Sequence, residues 1–197
     1  MLYDKDIREP LFEFLEERHE KIRIIEEKQM GKSRADVVMV LPGIIAGVEI
    51  KSDADTYARL KRQVKDYNQY FDRNYIVAGS THGMHIEEHV PDWWGIITVE
   101  LIGSKVDFYL LREAKENPKV NWKKKISLLW RPELVRLQEL NQMPKYKEKS
   151  KAFVIEKILT KVPQEMLAEQ VSETLFERDY TAIEDIIREY KKKRLLK

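Results

Sequence analysis

A glutamate and a lysine two residues apart form the most chemically informative pattern in this sequence. Glu49 and Lys51 flank Ile50 at the end of a β-branched run, which predicts a β-strand. Successive side chains of a strand point to opposite faces, so the Glu49 carboxylate and the Lys51 ammonium share one face. The preceding strand would supply Asp36, and a short hairpin can bring the two carboxylates together. Because Mg²⁺ prefers oxygen ligands, the pattern predicts a magnesium site.

Two carboxylates beside a lysine are suited to phosphate chemistry. Asp36, Glu49 and the backbone carbonyl of Ile50 would hold Mg²⁺, or Mn²⁺ in its place, next to a phosphate oxygen. An ion held in this way lowers the pKa of water and makes it a usable nucleophile. Lys51 would orient that water or stabilise the charge that develops on phosphorus. We therefore expect a phosphodiesterase site at the ends of these strands.

Hydrophobic periodicity defines the elements that must position these groups. Helices are predicted at 4–21, 55–72 and 84–90. Strands are predicted at 22–28, 34–41, 44–51, 75–78, 95–101 and 105–111. The order of these elements predicts a mixed α/β fold with a central mixed β-sheet flanked by helices.

The β-type pattern disappears beyond residue 112. A basic stretch at 119–125 comes first, and predicted helices follow at 132–142, 149–159, 163–178 and 181–193. We therefore divide the chain into a core at 1–112 and a basic, helical C-terminal extension at 113–197.

Three segments carry a resemblance to a known superfamily: GKSRADVVMV, GVEIKSDADTYARLKRQVKDYNQYFD and VPDWWGI, within residues 4–140. In type and order they resemble the PD-(D/E)xK nucleases, which include restriction-endonuclease-like and RecB-like enzymes, and within these a bacterial and phage branch. The resemblance implies a restriction-endonuclease-like core that cleaves DNA, in a phage or DNA repair context. It also implies that Asp36 and Glu49 are metal ligands and that Lys51 is the catalytic lysine. The usual proline before the first acid is absent, and Ala35 occupies its place.

The same resemblance implies further residues around the site. Gln63 and Tyr67 would border it from the following helix, although a surface amide and a core tyrosine are the simpler explanations. Many members add an upstream carboxylate, and either Glu26 or Glu27 has the right place in the chain. Residues expected to contact the nucleic acid are Arg34, Ser52, Arg59, Arg62 and Lys65.

Two other motifs have simpler structural explanations. Asp53 and Asp55 directly precede an amphipathic helix, so we expect them to cap its N-terminus rather than to bind metal. Trp93 and Trp94 can stack on unpaired bases, but they are expected to cover the edge of the core.

A competing metal motif lies in the predicted short helix. His85, Glu88 and His89 match the H-x-x-E-H spacing of zinc-dependent proteases, which hold Zn²⁺ with two histidines one helical turn apart. Pro91 ends this helix almost at once, and no further ligand helix follows. The nuclease hypothesis is therefore preferred, with a non-catalytic DNA-binding or assembly module as the second hypothesis.

Composition sets the outer limits of these hypotheses. The 197 residues are 43% hydrophobic and 36% charged, which is typical of a globular protein, and the net charge of +2 neither indicates nor excludes DNA as a partner. The absence of cysteine excludes disulfides and thiolate metal sites. No segment has the length of a membrane span or the character of a signal peptide, so we expect a cytoplasmic protein without membrane contact. The sequence leaves open whether two chains form a homodimer.

Overall fold

A six-stranded mixed sheet forms the centre of the molecule. The structure is a computed structural model that describes residues 2–53, 55–79 and 85–179. Its strands are β1 Arg23–Met30, β2 Ser33–Leu41, β3 Ile44–Lys51, β4 Arg73–Gly79, β5 Gly95–Ile102 and β6 Lys105–Arg112. They lie side by side in chain order, and the pairs β3–β4 and β4–β5 are parallel whereas the others are antiparallel. The predicted mixed α/β fold is confirmed.

Helices cover both faces of this sheet. The helices of the described part are α1 Asp4–Glu17, α2 Leu60–Tyr70, α3 Trp122–Ser127, α4 Arg131–Leu140, α5 Lys151–Lys161 and α6 Gln164–Phe176. The apolar stripe of α1 packs on one face, and α2 and the C-terminal helices pack on the other. No helix in the described ranges has the length and apolar character needed to cross a membrane.

A close approach between α2 and β3 fixes where the helix sits. Gly47 of β3 has no side chain, and a Cβ there would lie 2.3 Å from the Phe71 ring and 2.7 Å from the Tyr67 ring. Such distances are well below van der Waals contact, so only glycine fits at this position. The consequence is that α2 lies directly over the residues that follow Gly47 on β3, which include Glu49.

Two predictions about the segments around α2 are wrong. The helix expected at 55–72 begins with a 3₁₀ turn, Tyr57–Arg59, and Asp53 and Asp55 cap neither this turn nor α2. Instead, Asp55 Oδ2 accepts hydrogen bonds from the Ser52 amide at 2.9 Å and the Ser52 hydroxyl at 2.7 Å. Asp53 Oδ2 accepts one from the Leu2 amide at 3.0 Å, so both carboxylates serve loop geometry.

Elsewhere one helix was not predicted, α3 in the basic stretch at 119–125, and the other helix boundaries follow the predictions with two exceptions. The helix expected at 84–90 is wrong, because its described part forms only a 3₁₀ turn, Ile86–Glu88, before Pro91. The helix expected at 4–21 ends earlier, at Glu17. The helix expected at 181–193 lies outside the described residues.

The C-terminal helices share one apolar core with the sheet. A single buried cluster extends from Ile25 of β1 to Leu175 of α6. The boundary between residues 112 and 113 falls at the end of β6, and the division into a core and an extension stays a prediction.

A buried ion pair fastens this C-terminal region to the sheet. Lys125 of α3 is 1% exposed, and its Nζ lies 2.7 Å from both carboxylate oxygens of Asp72. Asp72 in turn accepts the Ile45 amide at 2.8 Å, and the Trp122 ring centroid lies 4.3 Å from Lys125 Nζ. The pair therefore joins α3 to the beginnings of β3 and β4.

Replacing Lys125 by alanine is expected to destabilise the protein by about 2–4 kcal/mol, because Asp72 loses its cation and a cavity opens beside Trp122. The measurement is the free energy of unfolding in urea. Lys123→Ala is the matched control, since Lys123 is two-thirds exposed and its loss should change stability by less than about 0.5 kcal/mol. Equal stability of the two variants would contradict this role for the ion pair.

Candidate active site

The site lies where β2 and β3 separate. Their pairing ends at Val37 and Val48. Beyond that pair, the Tyr67 hydroxyl accepts a hydrogen bond from the Asp36 amide at 3.2 Å and donates one to the Val48 carbonyl at 3.1 Å. Asp36 Oδ2 accepts the Ile50 amide at 2.9 Å. Side chains from α2 and β2 thus replace the backbone ladder and leave a gap between the strands.

An irregularity in β1 and β2 directs Asp36 into this gap. Glu26 pairs with Val37 and Lys28 with Ala35, but Glu27 and Asp36, which should face each other, are not paired. Glu27 has a φ of +51°, in the left-handed region that non-glycine residues seldom occupy. Ala35 belongs to the core under α2 whereas Val37 belongs to the core under α1, so the alternation of faces shifts at Asp36.

Glu49, Lys51 and Gln63 form a buried polar cluster on the α2 side of β3. Lys51 Nζ lies 2.6 Å from Glu49 Oε1 and 3.1 Å from Gln63 Oε1. The Gln63 amide nitrogen also donates to Glu49 Oε1. Glu49 is 1% exposed and Lys51 is 4% exposed. One carboxylate oxygen of Glu49 is therefore fully engaged.

The other oxygen, Glu49 Oε2, is buried and has no hydrogen-bond partner among the described residues. Asp36 Oδ1 lies 3.7 Å from the Arg8 guanidinium, beyond hydrogen-bond range. The Ile50 carbonyl points toward β2, as its amide does, because both groups of a strand residue point to the same side. Asp36 Oδ1, Glu49 Oε2 and the Ile50 carbonyl are oxygens of the type that Mg²⁺ binds, and they belong to the two strands that border the gap. No cluster of three or more acidic or histidine side chains fit for a metal occurs in the described ranges.

The electrostatics of the two carboxylates are unfavourable without a further cation. Burial and then the charge of Asp36 raise the pKa of Glu49 from 4.5 to about 7, against the opposing effects of Lys51 and Tyr67. Burial also raises the pKa of Asp36, although the Ile50 amide, Lys51 and Arg8 oppose this shift. The Tyr67 pKa lies well above its ordinary value because the hydroxyl is buried near both acids, so it remains neutral.

Arg8 is a site residue that the sequence analysis missed. Its guanidinium reaches from α1 to Asp36 and donates to the Asp36 carbonyl at 3.4 Å. It also lies 3.7 Å from Glu26 Oε2 and 2.6 Å from Asp4 Oδ2. The four-residue spacing of Asp4 and Arg8 predicts a pair on one helix face, but no sequence signal connects α1 to β2.

The structure brings together only part of the predicted set. Asp36, Glu49, Lys51, Gln63 and Tyr67 share one site. The upstream acids do not join it. Glu26 lies 3.7 Å from the Arg8 guanidinium that also faces Asp36, and the exposed Glu27 pairs with Arg34 at 3.3 Å.

The predicted nucleic-acid contacts lie around the site rather than in it. Ser52 is 3% exposed and occupied by Asp55, so its hydroxyl is not available at the surface. The exposed cations are Arg34 on β2 and, near or on α2, Arg59, Arg62 and Lys65. Their role in binding DNA stays a prediction.

The zinc motif does not have the geometry that its chemistry needs. His85 and His89 flank a 3₁₀ turn instead of lying one turn apart on an α-helix. His85 Nδ1 lies 3.5 Å from Glu88 Oε1, and the His89 ring stacks on Tyr57 with 4.2 Å between centroids. The pairing of His85 with Glu88 and the stacking of His89 account for both rings.

The two tryptophans confirm the preference for the core. Trp94 is 0% exposed, and its indole N–H donates to Asn68 Oδ1 at 2.8 Å. Trp93 is partly buried and packs against the same core cluster.

Comparison with known proteins identifies a family. The family described as Bacteriophage P4 protein cII matches residues 1–196. The chain belongs to this family. Curated proteins give no match. A solved structure, Pyrococcus furiosus SfsA in complex with Ca²⁺, is similar at 18% identity and a TM-score of 0.34, over 57% of this chain and 62% of SfsA. The match spans less than two thirds of SfsA, and similarity at this level transfers no function.

Replacing Tyr67 by phenylalanine is expected to cost about 1–3 kcal/mol, because the Asp36 amide and the Val48 carbonyl lose their shared partner in a buried place. Unfolding in urea measures the loss. Tyr109→Phe is the control, since Tyr109 is 45% exposed and its hydroxyl interacts with Asp107 of the same strand. If the two variants lose the same stability, the Tyr67 bridge does not hold the strands together.

The raised pKa of Glu49 predicts a decline of stability with pH. Between about pH 4.5 and 7 the native state holds the Glu49 proton more tightly than the unfolded chain, so stability falls as pH rises through this window. The full difference is on the order of 3 kcal/mol. Below this window the group is protonated in both states, and above it the group is ionised in both.

Glu49→Gln removes this titration but keeps an acceptor for Lys51. We expect its unfolding free energy to decline less than that of the wild type between pH 4.5 and 7.5, measured in urea at fixed ionic strength. Parallel pH profiles for the two proteins would show that Glu49 titrates normally in the folded state.

Proposed function

We propose that the protein is a metal-dependent nuclease that hydrolyses phosphodiester bonds of DNA. The observation that carries this proposal is the buried Glu49–Lys51 pair beside Asp36. One Glu49 oxygen is engaged, and the other is buried without a partner in the described part of the chain. A buried carboxylate oxygen without a donor is costly unless a ligand compensates it. A divalent cation compensates it directly.

The donor set fits Mg²⁺ or Mn²⁺. Asp36 Oδ1, Glu49 Oε2 and the Ile50 carbonyl would hold the ion. Mg²⁺ commonly uses one or two carboxylates and fills its remaining positions with water and substrate phosphate, so two acidic residues are sufficient. When bound, the ion supplies Lewis-acid chemistry by polarising the phosphate and acidifying water.

The protein's own groups would divide the remaining work. Lys51 is held by Glu49 Oε1 and Gln63 Oε1, which keeps its ammonium fixed beside the ligand oxygens. From there Lys51 would orient the attacking water or stabilise negative charge on the phosphoryl oxygens. Gln63 is a positioning residue, because it contacts both Glu49 and Lys51 and occupies the oxygen that the ion does not use.

The order of these residues also supports membership of the PD-(D/E)xK superfamily. The acid at the strand separation, the Glu-x-Lys on the next strand and the glutamine and tyrosine of the following helix lie together, as that resemblance implies. Restriction-endonuclease-like character and a role in phage or DNA repair processes are part of this proposal.

Purified protein is expected to cleave DNA with Mg²⁺ or Mn²⁺ and to stop when EDTA removes the metal. Asp36→Asn, Glu49→Gln and Lys51→Met should each lower the cleavage rate by about 100-fold or more, because each removes a ligand or a preorganised charge. The measurement is single-turnover cleavage of labelled single- and double-stranded DNA.

The matched control is Glu100→Gln, which neutralises an exposed carboxylate on β5 and should leave the rate unchanged. Circular dichroism must show that all variants are folded. DNA binding without cuts, unaffected by Asp36→Asn and Glu49→Gln, would instead identify a non-catalytic DNA-binding module.

A further inference from the structure

A second charged cluster lies around Trp130, at the start of α4. Arg178 is fully buried as a side chain and pairs with both oxygens of Glu133, at 2.6 and 2.7 Å. Its guanidinium carbon lies 3.9 Å from the centroid of the Trp130 ring. Lys28 Nζ lies 5.4 Å from the same centroid, and Lys151 Nζ donates to the Ser127 carbonyl at 2.7 Å. We name Lys28, Lys151 and Arg178 the cationic cluster.

Among the described residues that contact Trp130 or Glu133 here, positive charge exceeds negative charge. Both Glu133 oxygens are already engaged by Arg178, and one also accepts the Trp130 amide at 2.6 Å. Among the described residues Lys28 Nζ has the Trp130 ring as its partner but no hydrogen-bond acceptor. Arg178 Nη1 is buried and makes no hydrogen bond to any residue that the structure describes. Two lysines and a guanidinium nitrogen without an acceptor therefore lie around Glu133, whose two carboxylate oxygens already accept hydrogen bonds from Arg178 and Trp130.

The energetic consequence appears in the lysines. Burial, followed by the charge of Arg178, lowers the pKa of Lys28 to about 8. Burial also lowers the pKa of Lys151, and Glu133 only partly opposes this effect. The cationic cluster thus holds charges that the fold disfavours, and an anion would stabilise them.

The position of the cluster relates it to the candidate active site. Lys28 pairs with Ala35, the neighbour of Asp36, and lies on the sheet face that carries Met30 and the core under α2. Glu49 contacts α2 on that face, two strands away. Two strand spacings amount to roughly 10 Å. At a rise of about 3.4 Å per nucleotide, this is on the order of three steps along a nucleic-acid strand.

We propose that Lys28, Lys151 and Arg178 form a phosphate-binding site, which engages a non-scissile phosphate of a DNA strand that enters the candidate active site. The assignment to DNA rests on the proposed nuclease function. The affinity of the site for a phosphate group does not depend on that function, so an experiment can contradict one proposal without contradicting the other. Lysine ammonium groups and an arginine guanidinium are the donors that phosphate recognition commonly uses.

The first experiment uses inorganic phosphate as the probe. The melting temperature of the full chain is measured in phosphate and in chloride at equal ionic strength, with EDTA present. Wild type should melt roughly 3–5 °C higher at a phosphate concentration ten times the dissociation constant. Lys28→Met should lose this shift, whereas Lys105→Met, which removes an exposed lysine at the β5–β6 turn, should keep it.

A fold defect is separated from a binding defect in the same measurement. Methionine keeps the apolar contact of the Lys28 stem with Trp130 and removes a charge that Arg178 repels. In chloride, Lys28→Met should therefore melt at the wild-type temperature or above it. If Lys28→Met melts at a lower temperature than the wild type in chloride, the premise that the fold disfavours the charge of Lys28 is wrong.

The second experiment uses a short single-stranded oligonucleotide, again in EDTA so that cleavage does not enter. Lys28→Met and Lys151→Met should each weaken binding about 3- to 10-fold and lower the salt slope by about one, whereas the control Lys105→Met should change neither. If Lys28→Met weakens only oligonucleotide binding, the ligand of the site is a nucleic-acid phosphate. If it abolishes only the rise of melting temperature in inorganic phosphate, the ligand is a free phosphate. If Lys28→Met behaves as wild type toward both probes, the site does not exist.

Discussion

The contact of α2 with β3 is the constraint on which the rest of the site depends. Gly47 allows the Tyr67 and Phe71 rings to approach the β3 backbone, and this brings Gln63 over Glu49 and Lys51. An ion pair so deeply buried would lose more in desolvation than it gains by attraction if it stood alone. It persists because Gln63 satisfies the shared oxygen and because α2 excludes water. The same helix supplies the Tyr67 hydroxyl that bridges β2 and β3. The position of α2 therefore determines both the gap between these strands and the cluster of Glu49, Lys51 and Gln63 beside it.

Much of this arrangement could be predicted from sequence, because it depends on local periodicity. Alternation placed Glu49 and Lys51 on one strand face, and chain order placed Asp36 on the neighbouring strand. The shift of alternation at Asp36 could not be predicted, since it arises from the left-handed conformation of Glu27 across the ladder. Arg8 was missed for a related reason, because its contact with Asp36 joins elements 28 residues apart.

The errors around α2 and in the C-terminal region have physical causes as well. Asp55 has the residue type and position of a helix cap, but it turns back to bind Ser52 because the chain must first leave β3. Lysine is seldom fully buried unless it is paired, and Lys125 of the basic stretch at 119–125 is buried against Asp72. Composition counts charges without their partners. Only tertiary structure shows which cations are neutralised and which are not.

Two places on one face of the sheet hold charge that the fold disfavours, and they have opposite signs. At β3, burial raises the pKa of Glu49 and leaves one of its oxygens without a donor. At β1, burial and Arg178 lower the pKa of Lys28, which has no acceptor in the described part of the chain. Uncharged residues at Glu49 or at Lys28 would remove the unfavourable charge, so the stability of the fold does not explain why both charges are present. A divalent cation would compensate the first and a phosphate the second, and a nucleic-acid strand with its metal ion brings both charges at once.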